Sequence, residues 1–285
     1  MEILSYNILA NSYIKDYFPE ADSNFLKWEN RKQYLVDHIK KYNSDILLFQ
    51  EMEEGEMYDF LREELANAGY DSHFLKRAKD GKNDGVATFY RKDKFSSVSH
   101  EEIKLKESHD EIKEEECRGK IQGRVALISR FKTNDGTSIN TINTHLEWVP
   151  KDKQKTEYDG YYQMKSLLER DDVDIKNENW IICGDFNANS EGKVYELCVK
   201  EKGLIDAFAD SPYNTCNTKK NPKRIDFCFL SPSIKKYIPY AMEGLGKEDI
   251  VPREEIPSDH LSLKVMVDVT VEQHKQKQLE RNISK

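Results

Sequence analysis

The sequence predicts an α/β fold with a mixed β-sheet, and three observations support this. Segments with the two-residue period of strands and the longer period of helices alternate along all 285 residues. No internal repeat, Gly/Ser linker or Pro-rich break divides the chain. Hydrophobic residues make up 38% and charged residues 34%, so the chain is polar but contains enough apolar side chains for a core. We therefore predict one folded domain over residues 1–270, followed by a polar Lys/Gln-rich tail over residues 271–285.

The first half of the chain alternates strands and helices. Residues 1–7 are typical of a strand, and residues 26–42 have apolar side chains at helical spacing. A buried strand is predicted over 45–50, and a second helix over 55–68 ends at Gly69. The later elements are mainly strands, predicted over 85–91, 124–131, 138–146, 180–184, 225–230 and 261–269. Residues 100–120 are rich in charge and are interpreted as an inserted surface helix or loop.

Charge and cysteine usage restrict the classes of function. The formal net charge of −8 disfavours broad electrostatic adhesion to nucleic acid, although bound divalent cations would reverse the local field. Five scattered cysteines form no CxxC pair, which favours a reducing, cytoplasmic location. No run of about 18 apolar residues occurs, so we expect neither a membrane span nor a leader within the chain.

Polar side chains stand at the ends of the predicted strands. Asn7, Glu51 and His145 each end or follow a strand, and Asp185 and Asn187 follow the strand over 180–184. We expect these side chains to meet along one edge of the sheet, which is here called the polar rim.

Three further polar residues stand at strand beginnings. Asp226 opens the strand over 225–230, and Asp259 and His260 precede the strand over 261–269. They reach the same rim only if these two strands run opposite to the earlier ones. The sequence therefore predicts a mixed sheet with one polar edge.

Taken singly, each of these residues has a simpler interpretation. An Asp or Asn after a strand is commonly a turn residue or a helix cap, and a buried Glu or His can be a satisfied core residue. The joint pattern is harder to explain by chance, because the polar residues occupy corresponding strand ends in a regular order.

These residue types suit metal-dependent cleavage of a phosphodiester. Oxygen ligands such as Glu51 and Asn7 suit Mg²⁺, and Mn²⁺ accepts the same ligands. Asp185 is placed to orient or deprotonate water, and Asn187 to hold the phosphate or the water. A protonated His260 can stabilise phosphate oxygens.

Two further residues complete this interpretation of the site. Asp226 is the predicted partner that keeps His260 protonated, because a neighbouring carboxylate raises the pKa of a histidine. We expect His145 to contact the phosphate from the other side.

The same residues lie in motifs that resemble the endonuclease/exonuclease/phosphatase superfamily. The motifs include SYNILA (5–10), DILLFQE (45–51), NTHLEW (143–148), GDFNANSEGKVYEL (184–197), RIDFCFL (224–230) and PSDHLSLKV (257–265). The resemblance implies a four-layer α/β/β/α sandwich of two mixed β-sheets flanked by helices. It also implies metal ligation at Glu51, with Asn7 and Asp259 nearby, and catalytic roles for His145, Asp185, Asn187, Asp226 and His260.

Within the superfamily, the aromatic-rich strand over 85–91 and the segment after NTHL look most like the deadenylase, nocturnin and 2′-phosphodiesterase branch. That branch implies a Mg²⁺-dependent 3′-exoribonuclease acting on poly(A) or 2′–5′ oligoadenylate. We also expect a monomer. Two alternatives stay open: a nocturnin-like phosphatase of a dinucleotide phosphate, and a non-catalytic RNA-binding pseudo-enzyme.

Two loops carry candidate substrate-binding residues. Trp148 follows the NTHL motif, and Tyr213, Asn214, Lys220 and Arg224 lie before the strand over 225–230. Aromatic faces can stack on bases and basic side chains can follow phosphates. The alternative is a solvated charged loop with a packed tryptophan. We also include Arg91, at the end of the aromatic-rich strand, in the predicted set.

Overall fold

Two β-sheets lie face to face at the centre of the fold. The computed structural model describes residues 1–14, 18–105, 123–211 and 213–269, and in these residues each main sheet has six strands. The first sheet has the order β13 (Lys236–Pro239), β14 (Leu263–Asp268), β1 (Glu2–Asn7), β2 (Ile46–Glu53), β4 (Asp84–Arg91) and β3 (Tyr70–Lys76). The second has the order β5 (Phe95–Lys104), β6 (Val125–Thr133), β7 (Ser138–His145), β8 (Trp180–Asp185), β12 (Asp226–Leu230) and β9 (Ile205–Asp206). A short hairpin, β10 (Cys216–Thr218) and β11 (Asn221–Lys223), lies beside them.

Helices cover the outer face of each sheet. The first sheet packs against α1 (Trp28–Tyr42) and α2 (Glu56–Ala66). The second packs against α3 (Asp159–Leu168) and α4 (Lys193–Glu196), which continues into a short π-helical turn, Leu197–Glu201. No helix in the described part of the chain is long and apolar enough to cross a membrane.

The alternation of side chains along buried strands produces these layers. In β1, Ile3 faces the second sheet while Leu4 faces the helices, and in β8, Ile181 and Ile182 divide in the same way. Because successive side chains of a strand point to opposite faces, a strand buried on both faces is apolar throughout. The predicted four-layer α/β/β/α sandwich is therefore confirmed. The single mixed sheet inferred from the strand ends alone is wrong, since the polar residues are divided between two sheets.

The predicted reversal of the last two strands is confirmed. Strand β12 pairs antiparallel to β8, with Asp226 opposite Asp185, and β14 pairs antiparallel to β1. The pairs β1–β2 and β7–β8 are parallel. All the polar residues of the predicted rim are thereby brought to one end of the two sheets.

Several elements were not predicted. They are the strands β3, β5, β9, β10, β11 and β13 and the helices α3 and α4. Residues 100–104, interpreted as part of an insertion, belong to strand β5. The part of that insertion over 106–120, and the predicted tail over 271–285, lie outside the described residues.

Candidate active site

Glu51 reaches the polar rim through a β-bulge. The pairing of β2 with β4 shifts register between Gln50 and Met52, and Glu51 has a φ of 59°. A left-handed conformation is unfavourable for a side chain of this size and is retained mainly where the surrounding structure requires it. The bulge removes Glu51 from the ladder and re-aims its side chain. Its Oε2 accepts a hydrogen bond from the Ala10 amide at 3.0 Å.

Asn7 connects the two sheets across the rim. Its side-chain nitrogen donates to Glu51 Oε1 at 3.1 Å, on its own sheet, and to Asp185 Oδ2 at 3.0 Å, on the other sheet. Its side-chain oxygen accepts from the Leu9 amide at 3.1 Å. Asn7 was predicted to be a metal ligand. In this structure its side-chain nitrogen donates to both carboxylates and holds them in position, and metal ligation by its side-chain oxygen stays a prediction.

Asp185, Asn187 and His145 form one hydrogen-bonded group on the second sheet. A side chain at Gly184 would place Cβ 1.9 Å from the Thr144 carbonyl oxygen, so glycine is required for the close approach of β7 and β8. Asn187, with a φ of 50°, donates its backbone N–H to Asp185 Oδ1 at 2.9 Å. The side-chain amide of Asn187 donates to His145 Nε2 at 2.9 Å.

His260 and Asp226 are paired as predicted. His260 Nδ1 lies 2.9 Å from Asp226 Oδ2, and the Thr215 hydroxyl donates to the same oxygen at 2.6 Å. Burial disfavours the charged imidazole, but the carboxylates of Asp226 and Asp259 outweigh it and hold the pKa of His260 well above its ordinary value. His260 is therefore a buried cation that faces the rim.

Asp185 is the point at which the two halves of the rim meet. Its Oδ2 lies 3.0 Å from the Asn7 amide nitrogen, 3.5 Å from His145 Nε2 and 3.7 Å from His260 Nε2. Asp185 is 2% exposed, and Asn7 is fully buried. The arrangement gives one carboxylate oxygen three polar neighbours from three different strand ends.

His145 is a neutral member of this group. Burial, together with the positive charges of Arg124 and Arg77, holds the pKa of His145 well below its ordinary value. The negative charge of Asp185, whose Oδ2 lies 3.5 Å from His145 Nε2, does not offset this lowering of the pKa. The Nε2 atom accepts from Asn187, so the remaining proton lies on Nδ1. His145 can thus contact a phosphate as a hydrogen-bonding group but carries no charge.

The donor set fits a divalent cation. Burial and repulsion from Asp259 raise the pKa of Glu51 to about 7, and burial and repulsion from Asp226 raise that of Asp185 to about 6. Ligand atoms of Glu51, His145 and Asp185 all lie within 4.8 Å of one another. Carboxylates placed this close together, each with a raised pKa, form an environment that a hard cation stabilises.

Asp259 is held by the β10–β11 hairpin. Its Oδ2 accepts from the Thr218 hydroxyl at 2.7 Å, and its backbone carbonyl accepts from the Asn217 amide at 3.0 Å. Its Oδ1 lies 4.0 Å from His260 Nε2. Asp259 is therefore fixed by a separate structural unit, and its negative charge contributes to the raised pKa of Glu51.

Some supporting residues were not given a role by the sequence. The fully buried Arg31 donates to the carbonyls of Ile8, Leu9 and Pro257, which join the segment after β1 to the segment before His260. In the sequence, Arg31 is one of several charged residues of the predicted helix over 26–42. Behind the rim, Asn143 accepts from Gln50 at 2.8 Å and so connects the two sheets.

The predicted substrate-binding residues differ in how exposed their side chains are and in the contacts that those side chains already make. Trp148 is 49% exposed and Tyr213 36%, so both aromatic rings are accessible. The Asn214 amide donates to the Leu245 carbonyl at 3.1 Å, and Lys220 pairs with Glu20 at 2.9 Å on the surface.

Arg224 and Arg91 are engaged elsewhere. The Arg224 guanidinium lies 2.6 Å from Asp206 and stacks over Phe227, so it braces the start of β12. Arg91 ends β4, which runs antiparallel to β2, and Tyr90 pairs with Ile46 at the end of the sheet opposite the rim. About five residues of strand, roughly 17 Å, separate Arg91 from the rim. Arg91 therefore does not lie at the rim, and substrate binding by Arg91 stays a prediction.

The sequence of the chain is similar to those of known proteins. The model of the Endonuclease/Exonuclease/phosphatase family matches residues 4–260. The chain is 28% identical to the CCR4-Not complex 3′-5′-exoribonuclease subunit Ccr4 of Candida albicans over 219 residues, which are 68% of this chain and 28% of that protein. The chain spans about a quarter of the length of the Ccr4 relatives it matches.

Solved structures share the fold. ANGEL2, described as a 2′,3′-cyclic phosphatase, matches with a TM-score of 0.74 and 19% identity, covering 93% of this chain and 94% of that one. The human nocturnin catalytic domain matches with a TM-score of 0.68 and 23% identity, covering 94% and 93%. These likenesses support the four-layer arrangement.

Proposed function

The chain belongs to the endonuclease/exonuclease/phosphatase family, and from this premise we propose that it is a divalent-metal-dependent phosphodiesterase that removes nucleotides from the 3′ end of RNA. Its substrates would be poly(A) or 2′–5′ oligoadenylate. The catalytic unit would be residues 1–270, with residues 271–285 as an appendage.

The observation that carries the proposal is the environment of Asp185. Its Oδ2 is buried between an amide donor and two imidazoles, at 3.0, 3.5 and 3.7 Å. A purely structural carboxylate would be expected to be satisfied by backbone donors or one ion pair. Asp185 Oδ1 accepts one backbone N–H, from Asn187, but Oδ2 is surrounded by side chains that bind or transfer protons. A second carboxylate, Glu51, is bonded to the same Asn7 side chain.

Glu51 and Asp259 are the proposed ligands of Mg²⁺, with Mn²⁺ as an alternative. Both are acidic side chains at the rim, and the charge of Asp259 raises the pKa of Glu51. A cation held there would supply Lewis-acid stabilisation of the charge that develops on the phosphate oxygens. Asn7 would keep Glu51 and Asp185 in position through its shared amide nitrogen.

The other residues handle protons and charge. Asp185 Oδ2 would orient the attacking water and accept its proton. His260, which is held protonated by Asp226, would donate a hydrogen bond to a non-bridging phosphate oxygen. Asn187 orients His145, whose neutral ring would contact the phosphate from the other side.

The choice of RNA as substrate is supported by the relatives and by two exposed aromatic rings. The Candida relative is named a 3′-5′-exoribonuclease. Trp148 and Tyr213 are accessible for stacking on bases. A small phosphorylated nucleotide is the second candidate, because a net charge of −8 disfavours the many phosphate contacts that a long RNA would make.

The test uses the purified chain with Mg²⁺ and three substrates: 3′–5′ oligoadenylate, 2′–5′ oligoadenylate and NADPH. Products are separated by chromatography, with Asp185→Ala as the inactive control. Shortening of an oligonucleotide from its 3′ end, lost in the control, supports the nuclease, and the preferred linkage identifies the substrate.

Other outcomes would redirect the proposal. Phosphate release from NADPH alone would favour the small-molecule phosphatase. No turnover of any of the three, together with retained oligoadenylate binding, would favour the non-catalytic RNA-binding alternative.

A further inference from the structure

We propose that Cys216, Asp259 and His260 form a binding site for Zn²⁺, and that Zn²⁺ bound there inhibits the enzyme by engaging two residues of the polar rim. These three residues are here called the thiol site. The binding of Zn²⁺ requires no assumption about function, whereas the inhibition rests on the proposed phosphodiesterase activity.

Backbone pairing places Cys216 directly opposite His260. The two residues form an antiparallel bridge between the start of β10 and the segment before β14. Two backbone hydrogen bonds, of 3.0 and 2.7 Å, flank this bridge. They join the residue after Cys216 to the residue before His260, and the residue before Cys216 to the residue after His260. This is the pattern of a non-hydrogen-bonded pair, in which opposing side chains lie close together on one face. The thiol and the imidazole are therefore neighbours.

The donor atoms of the thiol site lie close enough to share one cation. Ligand atoms of Cys216, Asp259 and His260 are all within 4.8 Å of one another, and all three residues are buried. His260 Nε2 lies 4.0 Å from Asp259 Oδ1. The ligands of a tetrahedral Zn²⁺ are roughly 3–4 Å apart, so side-chain movements of about 1 Å would complete the site. Within the described part of the chain, three groups have donors placed in this way, and only this group contains a cysteine.

Neighbouring side chains already orient these ligands. His260 Nδ1 lies 2.9 Å from Asp226 Oδ2, so Nε2 is the ring nitrogen left for a cation. Asp259 Oδ2 accepts from the Thr218 hydroxyl at 2.7 Å, which leaves Oδ1 as the ligand atom. Zinc-binding histidines usually donate their other ring N–H to a carboxylate, and this contact fixes the orientation of the ring. The thiol site therefore has the outer contacts of a zinc site as well as its ligand types.

The thiol selects Zn²⁺ over the proposed Mg²⁺. Mg²⁺ requires oxygen ligands, whereas thiolate and imidazole are common ligands of Zn²⁺. Binding of Zn²⁺ would release one proton from Cys216 Sγ and one from His260 Nε2 to the solvent. Two positive charges enter with the cation and two leave with the protons, so the net charge beside Asp226 and Asp259 does not change. The buried site therefore accepts Zn²⁺ without any gain of charge.

Zn²⁺ at the thiol site would remove two groups from the proposed reaction. His260 Nε2 carries the proton that is proposed to bind a phosphate oxygen, and it lies 3.7 Å from Asp185 Oδ2. A cation on Nε2 replaces that proton, and the same cation withdraws Asp259 from Mg²⁺. Cys216 is the member of the thiol site that has no part in the proposed reaction, so its substitution provides the test.

The first measurement detects the thiolate ligand directly. Co²⁺, which substitutes for Zn²⁺ and absorbs in the near ultraviolet when a thiolate binds it, is titrated into the metal-free chain. We expect one equivalent to produce this absorption band, Zn²⁺ to remove it, and both Cys216→Ser and Cys216→Ala to lack it. Cys198→Ala is the matched control, because it removes another buried thiol, which lies in the core beside the second sheet, and it should retain the band. Absence of the band from the wild type, or an equal band in the folded Cys216 variants, overturns the proposal whether or not RNA is hydrolysed.

The second measurement tests the inhibition. Zn²⁺ is titrated into the hydrolysis of oligoadenylate at saturating Mg²⁺, and each protein is compared with its own activity without Zn²⁺. We expect half-inhibition of Cys216→Ser to require about tenfold more Zn²⁺ than that of the wild type or Cys198→Ala, the smallest effect expected for a lost zinc ligand. Equal sensitivity of the wild type and Cys216→Ser overturns the inhibition. If the wild type hydrolyses no oligoadenylate, the proposed function and the inhibition fail together, and the cobalt band still decides whether the thiol site binds Zn²⁺.

Discussion

Replacing Glu51 by glutamine should stabilise the metal-free protein at pH 8 and remove its response to Mg²⁺. The pKa of Glu51 is raised from about 4.5 to about 7, so the folded state retains a proton that the unfolded chain has lost. The free energy of unfolding therefore falls as the pH rises from 4.5 to 7, and the loss persists above pH 7. A glutamine side chain does not ionise, so the Glu51→Gln protein does not undergo this fall in the free energy of unfolding.

The magnitude follows from the structure. One pKa unit is worth about 1.4 kcal/mol, so a fully buried Glu51 would lose about 3 kcal/mol across this window. Glu51 is only half-buried, and solvent screening lowers this to about 2 kcal/mol. Glutamine cannot accept from both Asn7 and Ala10, and the lost hydrogen bond costs about 1 kcal/mol. We expect a net gain of about 1 kcal/mol at pH 8, and a loss of similar size at pH 5.

The assay is urea unfolding in EDTA at pH 8 and pH 5, repeated with Mg²⁺. Glu53→Gln is the matched control, because Glu53 also accepts two hydrogen bonds, in its case from the backbone amides of Asn11 and Ser12 at 3.0 Å. This control should be less stable than the wild type at both pH values and should still be stabilised by Mg²⁺. The reasoning is refuted if Glu51→Gln and Glu53→Gln show the same sign of change at pH 8, or if Mg²⁺ stabilises Glu51→Gln as much as the wild type.

Four further predictions follow from the site. Asp185→Ala should abolish Mg²⁺-dependent hydrolysis with unchanged circular dichroism, and normal turnover would remove Asp185 from the mechanism. His260→Ala should lower kcat at least a hundredfold while His73→Ala, which changes a surface histidine, has little effect; equal losses would contradict the role of the imidazolium. Burial lowers the pKa of His38 to about 4, below its value in the unfolded chain. The free energy of unfolding should therefore fall as the pH drops from about 6.5 to 4, and it should fall less steeply in the His38→Gln protein. Trp148→Ala should lower the kcat/KM for oligoadenylate about tenfold, consistent with ~1–3 kcal/mol per stacked base, and an unaltered value would assign Trp148 to the solvated loop.

The sequence predicts the rim well because its signal is local. A polar residue directly after an apolar strand is visible without any tertiary information, and the reversed direction of β12 followed from requiring Asp226 to reach the same edge as Asp185. The structure confirms that reversal through the antiparallel pairing of these two residues.

Edge strands were missed because their sequences are polar. Strand β5 has exposed or half-buried side chains at most positions after Phe95, and its Ser- and Glu-rich sequence does not show an apolar alternation. Its partner, β6, supplies the hydrogen bonds that the sequence cannot indicate. The distance of Arg91 from the rim has a different cause, since nothing local shows that β4 runs antiparallel to β2.

Residues that connect separate elements could not be predicted from one element alone. Arg31 appears in the sequence as an ordinary helical arginine, yet it is fully buried and bonded to carbonyls 23 and 226 residues away along the chain. A buried arginine is tolerated only where several acceptors converge on it, and that convergence exists only after folding.

The division of the rim between two sheets has a consequence for how the site is maintained. Glu51 and Asp259 belong to the first sheet and its connections, whereas Asp185, His145 and Asp226 belong to the second. Most side chains between the sheets are apolar, and apolar packing is not directional. It does not hold one sheet against the other as accurately as hydrogen bonds between reacting groups require.

Directional contacts between the sheets provide that accuracy. Gln50 donates to Asn143 at 2.8 Å, and the Asn143 amide donates to the Phe49 and Ala87 carbonyls at 3.1 and 2.9 Å. Asn7 adds a second connection at the rim itself, 3.0 Å from Asp185. Buried polar contacts of this kind contribute little net stability but penalise misaligned states, because each misalignment leaves a buried group unpaired. The amides at positions 7, 50 and 143 therefore set the register of the two sheets, and the relative placement of the proposed metal ligands and the proposed base depends on that register.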